Sequence, residues 1–598
     1  MNNIIEQISR NIAGRSQETR RRYLNKIDAQ AVKWKRRAHL SCGNLAHTVA
    51  ACSAMQKKSI LDFTRVNVGI ITAYSDMLSA HQPYAFYPDL IKRALAQLGH
   101  SAQVAGGVPA MCDGITQGQD GMSLSLFSRD LIAQATAVSL SHNTFDASLL
   151  LGVCDKIAPG QLIGALSFGH LPTAFVPSGP MPTGISNNYK VKIRQQYAAG
   201  EVGKDALLHM ECDAYHALGT CTFFGTANTN QLVFEAMGLM LPGSAFVPPA
   251  DPLREALTIK IAEHIAAISH NNAQYRSLSS VLDEKSLVNG LVALLASGGS
   301  TNHSIHMVAV AAAAGYILNW DDIDALSQVV PLLVKMYPNG PADINEFQRA
   351  GGVPTLMKAL AERDLLHLDA TPVFGSLSDY MKVPRLDDGQ ITYHPATDSM
   401  NSDVIALPGE HFSAHGGLKV VGGNLGRGII KVSAVAPECR FIEAPARVFE
   451  SQHDVESAYH ANEFTQDVVI VVRHNGPAAN GMPELHKLMP ILGNLMKDGL
   501  KVFLVTDGRL SGASGKVPAV LHLCPEAKKD GPLCRLVDGD IIRIDADSGQ
   551  IDVLADLTDR VAYHPDWTAE QVGSGQELFS VFRQAVSNAE QGATIFRF

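Results

Sequence analysis

Between residues 149 and 161 the chain reads LLLGVCDKIAPGQ, which sets a thiol, a carboxylate and an amine side by side (Cys154, Asp155, Lys156) after an apolar run. A thiolate is a soft ligand suited to iron and a carboxylate a hard one suited to magnesium, so a single turn of this composition could serve two kinds of metal. Taken alone, the trio also reads as the end of a buried strand followed by ordinary turn residues, and a metal site needs partners from elsewhere in the chain. Pro159 suits the first turn of a helix, which would bring the Cys154 sulfur near helix N-terminal N–H groups and is expected to lower its pKa. Cys221 in GTCTFFGTANTNQLVFEAMGLML has the same setting, ahead of a helix expected to be amphipathic with Leu232, Val233, Ala236, Met237 and Met240 on one face. Asp113 lies in GGVPAMCDGITQGQDGM, where flanking glycines let a ligand approach the backbone. Glu484 follows a Gly- and Pro-rich stretch, NGPAANGMPEL, and Ser511 sits in VFLVTDGRLSGASG, a glycine-rich loop directly after a strand, where a serine is ordinarily turn chemistry.

The elements that must position these residues follow from hydrophobic periodicity. From about residue 66 to 330, short β-rich runs (VNVGIITAY, SAQVAGGV, ASLLLGV, TAFVPSG) alternate with helical patterns such as YPDLIKRALAQL and DLIAQATAVSL. That alternation predicts an α/β domain whose parallel sheet carries helices on both faces, and ligands gather at the carboxyl ends of such strands. Residues 366–410 become rich in Pro, Asp, Ser and Gly and read as a linker. The runs that follow (LKVVGGN, IIKVSAV, DVVIVVRHN, LKVFLVTDG, DIIRIDADSGQIDVLAD) are mainly strands and predict a β-rich, barrel-like C-terminal domain. The expected division is a helical extension over 1–65, an α/β domain carrying the metal-binding loops over 66–385, and a β-rich domain with the serine loop over 386–598.

Composition removes several classes of function. The 598 residues are 46% apolar and 18% charged, ordinary for a folded chain of two or more domains. With 49 basic and 58 acidic residues the net charge of -9 gives no overall reason to bind nucleic acid or an anionic membrane, so small-molecule chemistry is the default. The basic run from Arg10 to Arg37 reads as a solvated helical face. The apolar stretch from Met307 to Leu318, broken by Gly315, is too short to cross a bilayer, and the first residues lack a signal-peptide core, so a cytoplasmic protein is expected. Nine scattered cysteines without close pairs argue against a disulfide framework or a zinc ribbon. No GxSxG, Walker A, HExxH or GxGxxG sequence occurs, which weakens the common hydrolase, nucleotide and dinucleotide readings.

In order along the chain, CDGITQGQDGM, GVCDKIAPGQ, GTCTFFGTANTN, ASGGSTNH, NGMPEL and TDGRLSGASG resemble the family of dihydroxy-acid and sugar-acid dehydratases. Within it, LSCGNLAH and AYSDMLSAHQPYAFYP look like the branch that dehydrates 6-phospho-D-gluconate to its 2-dehydro-3-deoxy product in the Entner-Doudoroff pathway. The resemblance implies an iron–sulfur hydro-lyase in which Cys154 and Cys221 hold a cluster, 4Fe-4S favoured over 2Fe-2S. It further implies Mg²⁺ held by Asp113, Asp155, Glu484 and a carbamylated Lys156, with Ser511 as the base; failing Ser511, the base would be sought in the Lys156 carbamate or a nearby histidine. Relatives acting on dihydroxy acids carry a further cluster cysteine in a PCN motif, whereas the corresponding register here, DMLSAHQP, falls on His81. The third ligand is therefore open among His81, Cys112, Cys42 and a substrate oxygen. The GGSTNH loop over 298–303 could hold phosphate, support the cluster or cap a helix. A phosphorylated sugar acid is the expected partner, with neither nucleic acid nor membrane, in a homodimer or higher homo-oligomer. The alternatives are a dehydratase of another sugar acid or of 2,3-dihydroxy acids, and an iron–sulfur sensor that binds RNA through the Arg10 to Arg37 segment.

Overall fold

A computed structural model describes residues 1–32, 36–269, 274–512, 514–566 and 573–598. Strands β1 (Asn67–Thr72), β2 (Ser101–Gly107), β3 (Ala147–Leu151) and β4 (Thr173–Phe175) form a four-stranded sheet in the order β2-β1-β3-β4, with every pairing parallel. Because strand side chains alternate, Val68, Ile70, Leu149 and Leu151 pack to one side against helices Tyr87–Gln97 and Pro252–Ala267. Ile71, Leu150 and Phe175 pack to the other side with helices Ser125–Leu140, Ile157–Leu166 and Thr226–Ala236. Helices thus cover both faces, as the alternating pattern predicts. The Thr226–Ala236 helix departs from the amphipathic expectation, since it is buried on every side.

The second domain holds a closed barrel. Strands β5 (Lys382–Asp387) and β6 (Gln390–Pro395) first form a separate hairpin inside the stretch that reads as a linker, turning at Asp388 and Gly389, both at positive φ. This is the Asp-Gly signature of a two-residue hairpin loop. The barrel comprises β7 (Lys419–Gly423), β8 (Gly426–Ile430), β9 (Phe441–Phe449), β10 (Val468–Val472), β11 (Val502–Thr506), β12 (Ala519–Cys524), β13 (Ile541–Asp545) and β14 (Gln550–Val553). They close in the order β10-β11-β12-β8-β7-β14-β13-β9, with β9 through β12 and the β7–β14 pair parallel and the other pairs antiparallel. Val469, Val471, Phe503, Val505, Ile542 and Ile544 fill the interior. Their neighbours Ile470, Val472 and Leu504 face outward, packing with helices Gln452–His460 and Leu488–Lys497.

The N-terminal helices are tied to the body. Ile5, Ile8 and Ile12 enter the main core, and Arg15 pairs with Asp322. Besides Arg15, other residues of the basic run turn inward instead of facing solvent: Arg20 donates to the carbonyls of Ala314 and Ser279 at 2.6 and 2.7 Å, and Arg37 pairs with buried Asp146 at 2.8 Å. Lys33 and Lys35 lie outside the described residues, as does the side chain of Arg36. Among the described residues no helix is long and apolar enough to cross a membrane.

Candidate metal and catalytic site

Loops at the carboxyl ends of the N-terminal strands meet loops at the carboxyl ends of barrel strands. Asp113 opens a short helix after β2, while Asp155 and Lys156 lie between β3 and the helix Ile157–Leu166. From the barrel side, Glu484 follows β10 and pairs as an isolated bridge with Arg509, which follows β11. Carboxylate oxygens of Asp113, Asp155 and Glu484 lie within 4.8 Å of one another. Lys156 Nζ sits between the aspartates, donating to Asp113 and, at 2.6 Å, to Asp155 Oδ2. Arg509 spans all three carboxylates, reaching Asp113 Oδ2 at 2.8 Å, Asp155 Oδ2 at 3.0 Å and Glu484 Oε1 at 3.2 Å.

Two buried cations therefore face one buried and two largely buried carboxylates, and the carboxylates respond unequally. Burial raises the pKa of Asp155, but Lys156, the His306 hydrogen bond and Arg509 outweigh it and hold that group well below the usual range; Asp113 is also lowered, against its burial, by Lys156 and Arg509. Burial and then Asp113 push the Glu484 carboxyl above the usual carboxylate range, with Arg509 and Lys156 working against them. Outer contacts fix the nest. His306 Nε2 lies 2.9 Å from Asp155 Oδ1. Because Arg129 donates to His306 Nδ1 at 3.3 Å, Nε2 carries the proton and is the donor to Asp155. Gln117 donates to Glu484 Oε2 at 3.2 Å.

Cys154 and Cys221 flank the start of one helix, Thr226–Ala236, and its asparagines hold both loops. Asn230 Nδ2 lies 3.1 to 3.3 Å from the carbonyls of Val153, Cys154 and Asp155, and Asn228 Nδ2 donates to the Cys221 and Phe223 carbonyls at 2.7 and 2.8 Å. Cys112 precedes Asp113 and joins this group: burial raises the Cys154 pKa well above its usual value, and Cys112 and Cys221 oppose its ionisation next. Burial and then Cys112 push Cys221 up to about 12. The expected lowering by helix termini is overturned, because desolvation of a buried thiolate exceeds what partial charges at a helix end supply.

The other candidates separate clearly. His81 is buried, and its Nε2 accepts the Val153 N–H at 3.2 Å. That lone pair is engaged, and burial lowers the histidine pKa to about 3, so the ring is neutral. Cys42 is exposed at the start of helix Cys42–Val49. The GGSTNH loop is internal: Asn302 Nδ2 reaches Thr226 Oγ1 at 3.2 Å and Asp155 Oδ2 at 3.5 Å, so it supports the nest. Ser511 lies two residues beyond Arg509 in a loop pressed so closely onto the Ser300 and Gly225 segments that a Cβ on Gly512 would stand 2.8 Å from the Ser300 Cβ.

Sequence reasoning left Arg509, His306, Asn228 and Asn230 without roles. The signal for Arg509 was its place two residues before Ser511 in a glycine-rich loop after a strand; the asparagines stood in the TANTN stretch.

A family model described as the dihydroxy-acid/6-phosphogluconate dehydratase N-terminal domain matches residues 65–379, and its C-terminal counterpart matches 403–593. The chain is 54% identical over 603 residues to phosphogluconate dehydratase of Escherichia coli K12, covering 100% of both chains. It is 53% identical over 594 residues to phosphogluconate dehydratase of Pseudomonas aeruginosa, covering 99% of this chain and 98% of the relative. Dihydroxy-acid dehydratase of Sulfurisphaera tokodaii is 31% identical over 549 residues, 89% of this chain and 94% of the relative. With both domains matched and relatives aligned from end to end, the chain belongs to the dihydroxy-acid/6-phosphogluconate dehydratase family.

Proposed function

We propose that the protein removes water from 6-phospho-D-gluconate to give 2-dehydro-3-deoxy-6-phosphogluconate. The observation that carries this reading is the three-carboxylate nest built around Lys156 and Arg509, set directly against a group of partly buried thiols. Oxygen donors suit Mg²⁺, and Asp113, Asp155 and Glu484 are the residues that would hold it, joined by Lys156 once carbamylated. Carbamylation turns a cation into an anion, and a divalent ion restores the sum of charge, so the two changes support each other. Thiolates suit iron, and Cys154, Cys221 and Cys112 would hold an iron–sulfur cluster; Cys112 takes the third place because His81 is engaged by Val153 and Cys42 is exposed. When bound, the two groups supply Lewis acids for the substrate carboxylate and C2 hydroxyl and for the departing C3 hydroxyl.

The chain's own residues perform the remaining work. Ser511, deprotonated, takes the C2 proton on Oγ, in a loop whose position is fixed by Arg509 and by the close approach of Gly512 to Ser300. Arg509 keeps a positive charge beside the carboxylates as negative charge develops on the substrate. The C3 hydroxyl leaves with the proton that Ser511 Oγ took from C2, so that water departs and the serine is reset, and the resulting enol tautomerises to the 2-keto acid. An anaerobic assay with 6-phosphogluconate on protein analysed for iron, sulfide and magnesium tests the reading. Faster turnover of a 2,3-dihydroxy acid or of unphosphorylated gluconate would replace it by a different dehydratase activity.

A further inference from the structure

Helix Asn187–Ala198 carries two cations one turn apart, Lys190 and Arg194, and the protein treats them differently. Arg194 is answered by Glu211, at 2.7 and 2.8 Å from its Nε and Nη2. Lys190 is only 4% exposed, and its Nζ reaches the Thr222 hydroxyl at 3.3 Å and the Asn187 side-chain oxygen at 3.4 Å. Both acceptors are neutral and both contacts are long for an ammonium group. Among the described residues Lys190 forms no ion pair. Asp343 and Glu211 stand near enough to favour its charged form but neither comes within ion-pair distance, and a buried ammonium without a directly paired anion is costly and is retained where an anion arrives to meet it. Its location fits that role. Thr222 follows Cys221, so the amine flanks the thiol group. The same helix accepts a hydrogen bond at Gln195 O from Asn494 Nδ2, 3.0 Å away, on the barrel-side helix that follows Glu484. Lys190 therefore lies at the seam where the two domains contribute to the site, flanking the thiols and away from the carboxylate nest.

We infer that Lys190 binds the phosphate monoester of the substrate and sets the preference for a phosphorylated sugar acid. A compact ammonium is a point-charge ligand for a phosphate dianion, and a long sugar acid whose carboxylate end sits in the metal nest must carry its phosphate beyond the reacting carbons. The inference rests on the reading of the site under Proposed function. The competing role is a counter-charge for the thiolates.

The test compares metal-replete wild type with Lys190→Met and Lys190→Arg. Each is assayed on 6-phosphogluconate and on D-gluconate, with inorganic phosphate as competitor, alongside iron content and the thermal midpoint of substrate-free protein. Lys190→Met is expected to raise KM for 6-phosphogluconate about 10²-fold, the usual scale for removing one partner of a buried charge pair. It should also lose inhibition by phosphate, retain wild-type iron and leave gluconate turnover unchanged. Its thermal midpoint should equal or exceed that of wild type, because an unanswered buried charge has gone, and Lys190→Arg should recover part of the KM loss. Unchanged KM and phosphate inhibition in Lys190→Met overturn the assignment, as does equal damage on both substrates with loss of iron, which marks the counter-charge role. A wild type inert toward 6-phosphogluconate overturns the functional reading as well.

Discussion

The two flanks of the site handle buried charge in opposite ways. In the nest, Lys156 and Arg509 lie within hydrogen-bond reach of three carboxylates, so the cations and anions answer one another inside the protein. On the thiol and serine-loop flank the buried cations Lys190 and Lys431 have only neutral acceptors, Lys431 Nζ donating to the Gly512 carbonyl at 3.0 Å. The thiols there are held protonated by burial. In the nest the protein's own cations and anions balance one another, whereas on the other flank the buried amines meet only neutral hydrogen-bond acceptors.

The largest effect is expected where the uncompensated flank loses a ligand. Cys154→Ser and Cys221→Ser should each lose iron and sulfide together with turnover, because a neutral hydroxyl is a far weaker iron ligand than a thiolate. Cys112→Ser should do the same, whereas His81→Ala should keep its iron. Full iron content in a purified cysteine variant removes that residue from the ligand set.

Ser511→Ala comes next. Loss of a positioned base costs about two to four orders of magnitude in turnover, while iron and magnesium contents should match wild type because their ligands lie elsewhere. Exchange of the C2 proton with solvent deuterium should fall in parallel. Near-normal exchange in the metal-replete variant would move the base to the Lys156 carbamate.

Breaking the compensated flank should show in stability as well as in turnover. Arg509→Leu leaves buried carboxylates facing Lys156 alone, and removing one partner of a buried ion pair costs about 3–5 kcal/mol. Denaturant unfolding without magnesium measures that loss. Added Mg²⁺ should then stabilise the variant more than the wild type, since the ion supplies the positive charge that was removed. An equal response in both proteins would show that Arg509 does not share the carboxylates with the metal site.

Much of this arrangement is legible in the sequence, for reasons that also mark where legibility stops. The sheet follows from runs such as VNVGIIT, where Val68 and Ile70 serve one core and Ile71 the other, and the barrel from the fully buried, almost wholly apolar β10 and β11. Strand β9 escapes because Pro445 interrupts FIEAPARVF, and the β5–β6 hairpin escapes because its Asp388-Gly389 turn sits in a stretch of loop-like composition. The soft and hard ligands at Cys154 and Asp155 are visible as residue types. Arg509 is not, since an arginine among glycines looks solvated until the fold buries it. Thiol ionisation is misjudged for the same reason: a helix start is local information, whereas desolvation depends on everything that packs around the sulfur.

Lys431 gives the smallest effect and the finest test of the contrast between flanks. Burial alone lowers its pKa from the usual 10.5 to about 7. Below pH 7 the amine is charged in both the folded and the unfolded chain, and the fold bears the full cost of burying it. Between about 7 and 10.5 the unfolded chain binds the proton and the folded one does not, so this residue's contribution to stability rises with pH across that window. Lys431→Met removes the titration and also the hydrogen bond to Gly512, worth about 1 kcal/mol. Other groups titrate alike in both proteins, so the difference in unfolding free energy isolates the lysine. The variant should gain most on wild type near pH 6.5, and its advantage should shrink by about 2.5 kcal/mol by pH 9, at roughly 1.4 kcal/mol for each pH unit of full linkage. A difference that stays constant from pH 6.5 to 9 would mean that Lys431 keeps its proton and is answered by a charge, which would make the serine-loop flank as compensated as the nest.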